Sequence, residues 1–468
     1  MTLSVPAMPG YHGFALRSLS ACIALTLSIA PMADAATQKV VNCADSGAGS
    51  LRSAITAALE GDTVDMSQLA CSSITLTSAA LITSANNLTI KGKGQQTLTI
   101  NGGNHSFGVI QHKGTGTLTV TDVTITNASY AQGGCISSLG SVSLARVTMS
   151  SCTATGAGGQ SLGGAVGAVH DVTMTSCVLS NNDASDATAY GAIALGGAVL
   201  AGGDVTVTGS TIRANAASTS HNNVGGGGIY AIGTLTITNS TLSNNTAIDV
   251  NLGGSNNSAG GAAFAAGNIT VIGSTIDSNN AGAGGGLSGG TASVITVINS
   301  TISGNTSLIG GGIAAGGPLH LRNSTIAMNS ANSGNGGGGV LIGAATDMQS
   351  TIIAKNYAQG SATTDLSSRG IAFTIAGANN IIVSVDAAIT LPGGTLRSDP
   401  KLASFLENNG GSTQTLTLNF GSPAIGTGNN VLRLASDQRG AGFARMTKEK
   451  IDIGAFQTGD GIFASGFE

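Results

Sequence analysis

Apolar and polar residues alternate in short runs along this chain, and between Leu118 and Asn356 one such run recurs about nine times. Each copy alternates Val, Leu or Ile with Thr or Ser, continues into Ser-Thr-Ile or a relative, reaches an Asn and ends in a glycine cluster. Such alternation with β-branched residues is typical of half-buried strands. One apolar residue marks each copy: Ile125, Met149, Leu179, Ile212, Leu242, Ile276, Ile302, Ile326 and Ile352.

The spacing of these markers indicates stacked repeats. The intervals are 24, 30, 33, 30, 34, 26, 24 and 26 residues, which is shorter than the roughly 40–45 residues of a propeller blade. No segment of this region shows a helical apolar stripe, so repeats built from helices are excluded. The sequence therefore predicts an all-β fold, a parallel β-helix in which each repeat is one coil of a rod about 45 Å long.

Two residue types mark the corners of each predicted coil. Asn tolerates left-handed backbone geometry, and its amide can bond to an Asn one coil away. The glycine clusters indicate a second corner, each followed by an inward apolar residue. The predicted structural Asn ladder consists of Asn181, Asn215, Asn244, Asn279, Asn305, Asn329 and Asn356.

The repeat resembles that of exported bacterial right-handed parallel β-helix proteins. The segment from Asn42 to Ile55 is similar to the opening cap of such proteins. The C-terminal region resembles the choice-of-anchor Q domain in five motifs: Asp399-Pro400-Lys401-Leu402, Asn409–Thr415, Gly421–Ile425, Asp437-Gln438-Arg439-Gly440 and Asp452–Phe456. This resemblance implies a single-stranded right-handed β-helix that is exported and surface-associated. It implies no particular activity, since the family has no single known one.

Export is also indicated by residues 1–35, which have the features of a secretory signal peptide. Arg17 precedes an apolar stretch over 19–29, and Ala33-Asp34-Ala35 fits the small-x-small cleavage rule. No later segment has the ~18 apolar residues of a membrane span. The net charge of −4 and the scarcity of basic residues in the repeats exclude nucleic acid as a partner.

The predicted organisation has five parts: signal peptide 1–35, N-terminal cap 36–80, β-helix coils 81–356, a C-terminal module 357–457 and a tail 458–468. The cap contains a short helix in which Gly49-Ser50 starts the first turn and Leu51, Ile55, Ala58 and Leu59 share one face. We expect the C-terminal module to finish the stack. Its charged residues Asp437, Arg439, Arg445 and Asp452 are interpreted as ion pairs that close the end of the rod.

An exported chain can form disulfides. Cys43 and Cys71 flank the cap and are expected to pair. Cys135 and Cys152 lie at the two corners of one coil and form a plausible second bridge, which leaves Cys177 buried as a small apolar residue. A bridge between Cys152 and Cys177 is the alternative. None of these spacings is that of a metal site.

The longest insertions fall in consecutive coils, at 153–162, 181–195, 216–224 and 246–259. Because coils stack, these insertions should form a raised wall along one side of the rod. Loops on a rigid scaffold commonly carry function. The candidate ligand-binding residues in or beside this wall are Asp183, Asp186, Tyr190, His221, Tyr230 and Asp249.

Catalysis by this wall would require its aspartates to converge, either on calcium or as a general acid and base on a sugar. Solvated loop acids are the more frequent case. The sequence therefore favours a secreted or cell-surface protein with a structural, adhesive or surface-binding role, no catalytic residues and no resident cofactor or metal. The alternative is a polysaccharide lyase or glycoside hydrolase that acts on acidic polysaccharide through residues 153–259, with calcium as its candidate ion. The partner is then a polysaccharide or cell-surface ligand, and the oligomeric state stays open.

Overall fold

The computed structural model describes residues 35–156, 159–186, 192–220, 223–250, 258–333, 336–360 and 365–459. Residues 1–34 of the predicted signal peptide, Tyr190, His221 and residues 460–468 of the predicted tail lie outside these ranges. The described chain is a right-handed parallel β-helix, as predicted. Its strands form a 34-stranded sheet that wraps around the rod, an 11-stranded sheet that closes it and a two-stranded sheet.

The strands, numbered along the chain, form columns in which each strand pairs with its equivalent one coil away. The first face of the large sheet contains β1 (Thr37–Lys39), β2 (Thr63–Asp65), β5 (Leu88–Lys91), β8 (Thr117–Tyr130), β10 (Ser141–Ala154), β13 (Val172–Thr175), β18 (Val205–Thr208), β23 (Leu235–Thr238), β28 (Ile269–Ile272), β32 (Ile295–Ile298), β36 (Leu319–Arg322), β40 (Thr346–Gln349) and β45 (Ala376–Ala378). The second face contains later parts of β8 and β10 together with β3 (Ser73–Thr75), β6 (Thr99–His105), β14 (Val178–Ser180), β19 (Thr211–Arg213), β24 (Thr241–Ser243), β29 (Thr275–Asp277), β33 (Thr301–Ser303), β37 (Thr325–Ala327), β41 (Ile352–Ala354) and β46 (Ile381–Ile382).

The remaining strands belong to the wall and to the smaller sheets. The outgoing strands of the wall and their continuation are β15 (Asp183–Asp186), β20 (Ala216–Thr219), β25 (Thr246–Asp249), β30 (Asn280–Ala283), β34 (Thr306–Ile309), β38 (Ser330–Ala331) and β42 (Tyr357–Ala358), and the returning strands are β11 (Gln160–Leu162), β16 (Ile193–Leu195), β21 (Val224–Gly225) and β26 (Ser258–Ala259). The 11-stranded sheet contains β4 (Leu81–Thr83), β7 (Ile110–His112), β9 (Ile136–Ser138), β12 (Val166–Ala168), β17 (Val199–Ala201), β22 (Ile229–Ala231), β27 (Ala263–Ala265), β31 (Leu287–Gly289), β35 (Ile313–Ala315), β39 (Val340–Ile342) and β43 (Leu366–Ser367), and β44 (Phe373–Thr374) pairs with β47 (Ile389–Thr390).

The predicted apolar markers form one continuous column inside the rod. From Ile125 to Ile326 each marker pairs with the next in register, and all are fully buried. In the last coil the residue that continues the column is Ile353, because Ile352 pairs with Thr325 instead. The final marker was therefore placed one residue too early.

The buried Asn ladder is present, but two of its seven predicted members are wrong. Asn182 and Asn245 carry it, whereas Asn181 and Asn244 adopt left-handed backbone geometry with φ of 55°. A left-handed residue bends the chain and interrupts the alternation of the strand. The side chain of the residue that follows it therefore points inward. The observed amide-to-amide bonds of 2.9 Å run through Asn182, Asn215, Asn245, Asn279, Asn305, Asn329 and Asn356.

A second ladder, of serine hydroxyls, follows the corner between the first and second faces. The backbone N–H of Ser240 donates to Oγ of Ser274 at 3.1 Å, and the Ser274 N–H donates to Ser300 Oγ at the same distance. Each hydroxyl in turn donates to a carbonyl two residues earlier, such as that of Thr238. These are the serines of the repeated Ser-Thr-Ile phrase, so their constant phase in the sequence was the available signal.

The glycine corner owes its composition to close backbone contact. Gly226 has a φ of 60°, a conformation that other residues rarely adopt. A Cβ on Gly227 would lie 2.4 Å from the carbonyl oxygen of Gly261 in the next coil. Any side chain here would therefore force adjacent coils apart.

The short capping helix, α1, spans Leu51–Ala57. Ser50 is its N-cap, and its hydroxyl accepts a hydrogen bond from the N–H of Ser53 at 3.2 Å. Leu51 and Ile55 are buried as expected, but Leu59 is 64% exposed. The prediction was wrong for Leu59 because the helix ends at Ala57, before the face could continue.

Both proposed disulfides are formed, Cys43–Cys71 and Cys135–Cys152, and Cys177 is a buried free thiol. Cys152 holds the position that an Asn of the ladder holds in later coils. Its N–H donates to Asn182 Oδ1 at 3.1 Å, as the N–H of Asn182 donates to Asn215 Oδ1 one coil later. The second bridge therefore closes the base of the wall where the ladder begins.

The C-terminal region has two parts. Residues 366–396 complete the last coils, whereas residues 400–458, which we name the side strap, run back along the second face. Asn429, Ala455 and Gln438 in the strap bond to Ser350, Thr325 and Thr301, in coils progressively farther from the end of the stack. The expectation that the whole module finishes the stack was wrong for the strap.

The charged residues of the strap accordingly lie on the side of the rod, not at its end. Arg439 forms an ion pair with Asp437, with Nη2 2.6 Å from Oδ2. Arg445 is fully buried and donates through Nη2 to the backbone carbonyls of Asp452 and Gly454. Burial lowers the pKa of Arg445 to about 10, although the carboxylates of Asp437 and Asp452 oppose this effect.

Candidate functional site

The wall is a two-layered ridge with an interior of its own. Its outgoing strands contribute Ala217, Ala247 and Ala281 to a small buried cluster, and its returning strands contribute Ala194 and Val224. Small side chains at these positions allow the two layers to approach closely. The consecutive insertions thus stack as the sequence analysis expected, although several loop tips lie outside the described residues.

The aspartates of the wall do not converge on one point. Asp186 and Asp249 stand in one column on either side of Thr219, so their Cα atoms are two coils, or about 10 Å, apart. Both side chains are buried inside the ridge, with 5% and 0% exposure. Asp183 lies three positions earlier on β15, where the alternation of a strand turns its side chain the other way.

Asp183 is partly buried. Burial raises the pKa of its carboxyl above the usual range, and a hydrogen bond from the Ser185 hydroxyl at 2.7 Å lowers it by less. Because the acids are separated and two of them are enclosed, the described residues of the wall contain no pair of carboxylates open to a sugar. Within the described residues, no group of three or more His, Cys, Asp or Glu side chains is placed to hold a metal ion.

Among the described candidate residues, Tyr230 lies at the surface of the 11-stranded sheet and is half-buried. It points outward from the 11-stranded sheet, and its ring stacks on that of Phe264 in the next coil, with centroids 4.9 Å apart. Burial raises the pKa of the Tyr230 phenol. Phe264 is not among the residues predicted from the sequence, although its place one repeat after Tyr230 was a usable signal.

The ring of Tyr230 fills the corner between the wall and the 11-stranded sheet. A Cβ on Gly225 would lie 2.7 Å from two ring carbons of Tyr230 and 3.4 Å from Cδ2 of Leu195. The absence of a side chain at Gly225 therefore lets the tyrosine lie against the base of the wall. Leu195 and its register partner Leu162 line the outside of the wall here.

Tyr230 belongs to a longer outward column, which we name the sheet strip: Leu200, Tyr230, Phe264, Ser288, Ala314 and Leu341. Its far end opens into a shallow cavity of about 330 Å³ bordered also by Arg369 and Ile371. Five coil intervals make the strip about 24 Å long. It is a narrow, mainly apolar surface with an exposed guanidinium at one end.

Comparisons with known proteins add little to this picture. No protein-family model matches the chain, and no curated protein matches it. Among solved structures, one described as the crystal structure of pectate lyase Pel9A is similar, with a TM-score of 0.42 and 14% sequence identity, over 91% of this chain and 97% of that chain. A likeness this distant carries no argument about function. In the described part of the chain, no helix is long and apolar enough to cross a bilayer.

Proposed function

We propose that this chain is an exported rod of the bacterial cell surface that binds an acidic polysaccharide along the sheet strip without cleaving it. The observation that carries the proposal is the continuity of the strip, from Leu200 through the stacked Tyr230–Phe264 pair to the cavity beside Arg369. Leu200, Tyr230, Phe264 and Leu341 are half-buried, whereas the small residues Ser288 and Ala314 between them are buried. A long, narrow surface of this kind suits a segment of an extended polymer better than a compact ligand.

The chemistry of the strip suits a sugar chain. The edges of two aromatic rings and the flanking aliphatic side chains offer contact to the C–H faces of pyranose rings, and the Tyr230 hydroxyl offers a polar partner. Arg369 can bond a carboxylate with two parallel N–H donors. An acidic sugar near the Arg369 end would thus combine apolar contact with charge pairing.

Binding without cleavage is favoured by the placement of the acids. Asp186 and Asp249 are enclosed in the wall, and Asp183 faces away from their column. Hydrolysis or β-elimination requires acid and base groups that reach the scissile bond. Among the described residues of 153–259, these three acids do not converge as the enzymatic alternative would need, which favours binding.

Export and surface attachment are part of the same proposal. Two disulfides are typical of chains that fold outside the reducing cytosol. Residues 1–35 have signal-peptide features, and residues 357–457 resemble a choice-of-anchor Q domain. N-terminal sequencing of the protein released from its host should begin at Ala36.

The test measures retention of the purified mature chain in gels that contain polyuronides, neutral glycans or bacterial exopolysaccharides. We expect retention by an acidic glycan, a strong loss in the double variant Y230A/F264A, and a partial loss in Arg369→Gln. Phe420→Ala is the matched control, because Phe420 is 98% exposed and lies in the side strap, away from the strip.

Two results would contradict the proposal. One is an absence of retention in every glycan gel, and the other is retention that Y230A/F264A and Phe420→Ala leave equally unchanged. The same samples are assayed for reducing ends with and without calcium. Release of reducing ends that Asp183→Asn abolishes would establish the enzymatic alternative instead.

A further inference from the structure

The first face of the rod carries a regular array of threonines that the proposed function does not use. On each of seven consecutive strands, β8, β10, β13, β18, β23, β28 and β32, two side chains separated by one residue point outward. Ten of these fourteen are threonine and none is charged. The array comprises Thr119/Thr121, Ser143/Ala145, Thr173/Thr175, Thr206/Thr208, Thr236/Thr238, Thr270/Ile272 and Thr296/Ile298.

The array is a two-dimensional lattice. The seven strands pair in parallel and in unbroken register, so equivalent side chains repeat at about 4.8 Å between coils and about 6.6 Å along each strand. Six coil intervals give a patch about 29 Å long. The residues between the threonines, such as Val207 and Ile237, are fully buried, which fixes the strands from beneath.

The hydroxyls of this lattice are available to water. Among the described residues, none forms a hydrogen bond with the hydroxyls of Thr206, Thr208, Thr236 or Thr238. In contrast, the adjacent Ser210 and Ser240 are buried and bond to the neighbouring coil. The threonines are half-exposed to exposed. Thr121, at the edge of the array, bonds to the Asp122 carboxylate, but these four central threonines have no partner in the described protein that explains their recurrence.

We propose that this array binds ice. Each threonine offers one hydroxyl, which can donate and accept, beside one methyl group. Ordered water forms around the methyls and is tied to the hydroxyls, and hexagonal ice presents its oxygens on repeats of a similar few ångströms. A rigid lattice of such groups can hold a layer of water in an ice-like arrangement that merges with a crystal surface.

The chemistry of the array favours ice over a crystalline polysaccharide. A sugar-binding surface gains from aromatic rings and from bidentate or charged hydrogen-bonding groups. None of the fourteen outward side chains of the array is of these kinds, in contrast to the sheet strip with Tyr230, Phe264 and Arg369. The exposed ion pair of Arg146 with Asp122 lies at the corner beside the first two strands of the array. Ice is uncharged and consists of hydrogen-bonding oxygens alone, so a neutral hydroxyl lattice is its complement.

The hydrogen bonds of the side strap go to residues beside the array and not to the array itself. They reach the corner residue Asn299 and the second-face residues Thr275, Thr301 and Thr325. The array ends where charge begins, since the next outward pair on this face is His320 and Arg322. The patch is therefore bounded as well as regular.

The test uses the purified mature chain in nanolitre osmometry, which measures the gap between melting and freezing of a single ice crystal, and in an assay of ice recrystallisation. We expect a measurable freezing gap and faceted crystals. The double variant T206K/T236K should abolish both, because two long charged side chains at the centre of the array prevent contact with a flat lattice.

The matched control is T211K/T241K, in the same two coils but on the second face, where Thr211 and Thr241 are also half-exposed. It should retain full activity. Should the lysine variant fail to fold by circular dichroism, T206V/T236V tests the hydroxyls without added bulk, and we expect a reduced freezing gap. An inactive wild type overturns the proposal, and so does equal loss in the array and control variants.

This experiment is independent of the polysaccharide test, because the array and the sheet strip lie on different sheets of the rod. The variants of one surface should leave the other activity unchanged. Retention of the wild type by crystalline cellulose or chitin that T206K/T236K abolishes, without any effect on ice, would overturn the ice proposal and assign the array to a glycan.

Discussion

Two sets of polar side chains repeat once per coil along this rod, and they behave in opposite ways. In the Asn ladder, Asn245 donates to Asn279 Oδ1 at 2.9 Å and to the carbonyl of Ile212, while it accepts from the N–H and amide of Asn215. In the threonine array, Thr236 has the same coil-to-coil repeat but stands half-exposed on the surface.

The difference shows that repetition alone does not distinguish structure from function. A buried amide that lost its partner would cost free energy, so the ladder is explained by stability. The hydroxyl of a surface threonine forms hydrogen bonds with water in both the folded and the unfolded state. Its contribution to stability is therefore small and does not explain its recurrence. Burial is the observation that separates the two cases, and the following variants test that separation from the largest expected effect to the smallest.

Removal of one rung of the ladder should have the largest effect. Asn245→Ala leaves two donors of Asn215 and the Ile212 carbonyl without their partner, whereas Asn279 Oδ1 loses one of two donors and keeps the backbone N–H of residue 245. We expect the free energy of unfolding to fall by about 4 kcal/mol, since each buried group left unsatisfied costs about 1–3 kcal/mol. Denaturant titration followed by circular dichroism measures this. A loss no larger than that in Thr236→Ala would remove the distinction between ladder and array.

The disulfide at the base of the wall should have the next largest effect. Cys135 and Cys152 are 17 residues apart, and the N–H of Cys152 donates to Asn182, the first residue of the Asn ladder. We expect the double variant C135S/C152S to lose about 3 kcal/mol, as estimated for a loop of this length. Thermal melts with and without a reductant measure the difference. Cys177→Ala, which breaks no bridge, is the control and should remain as sensitive to reductant as the wild type.

Acid should weaken the N-terminal cap through Asp45. Burial raises the pKa of this carboxyl, but the ion pair with Arg52 and hydrogen bonds from Ser78 and Thr77 outweigh it and hold the pKa well below the usual range. A carboxyl with a lowered pKa stabilises the fold above its unfolded pKa of about 4 and loses this contribution as pH falls.

We therefore expect Asp45→Asn to lower the melting temperature at neutral pH, with the gap from wild type narrowing progressively below pH ~4. Melts across a pH series measure this convergence. Asp171→Asn is the control, because Asp171 is an exposed acid of the coils. A gap that stays constant into acid would show that charge at Asp45 is not what stabilises the cap.

A change within the array should have the smallest effect on stability. Thr236→Val keeps the β-branched shape and loses a hydroxyl that has no partner in the described protein, so we expect a change within about 0.5 kcal/mol. The same denaturant titration measures it. A loss of several kcal/mol would mean that the array is structural after all, and its regularity would then need no ligand.

The sequence predicted the coils better than the site. Marker spacing and alternation placed the strands, since a side chain buried in every coil must be apolar in every coil. Asn215 and Asn279 were placed correctly, but Asn181 and Asn244 were not, because each is followed by a second Asn and the sequence does not show which one turns inward. In the same way, the sequence does not show that Asp186 and Asp249 turn into the wall whereas Asp183 points the other way.

The side strap was beyond sequence prediction altogether. Thr275, Thr301 and Thr325 have the same pattern as Thr211 and Thr241, yet only the first three are buried, beneath residues 400–458. A contact between residues more than 100 positions apart, such as Thr301 with Gln438, leaves no periodic signal. The same holds for Gly225, whose missing side chain admits the ring of Tyr230.

The sequence by itself determined the repeated strand, the two corners, the cap helix and the coil-by-coil stacking, because these follow from local propensity and a period that recurs in every copy. Tertiary structure alone decided which of two neighbouring residues faces the core, which aspartates are enclosed, and which outward threonines stay in contact with water. Inward and outward positions alternate along a strand, so a single left-handed residue exchanges them, and only the folded chain shows what then lies against each side.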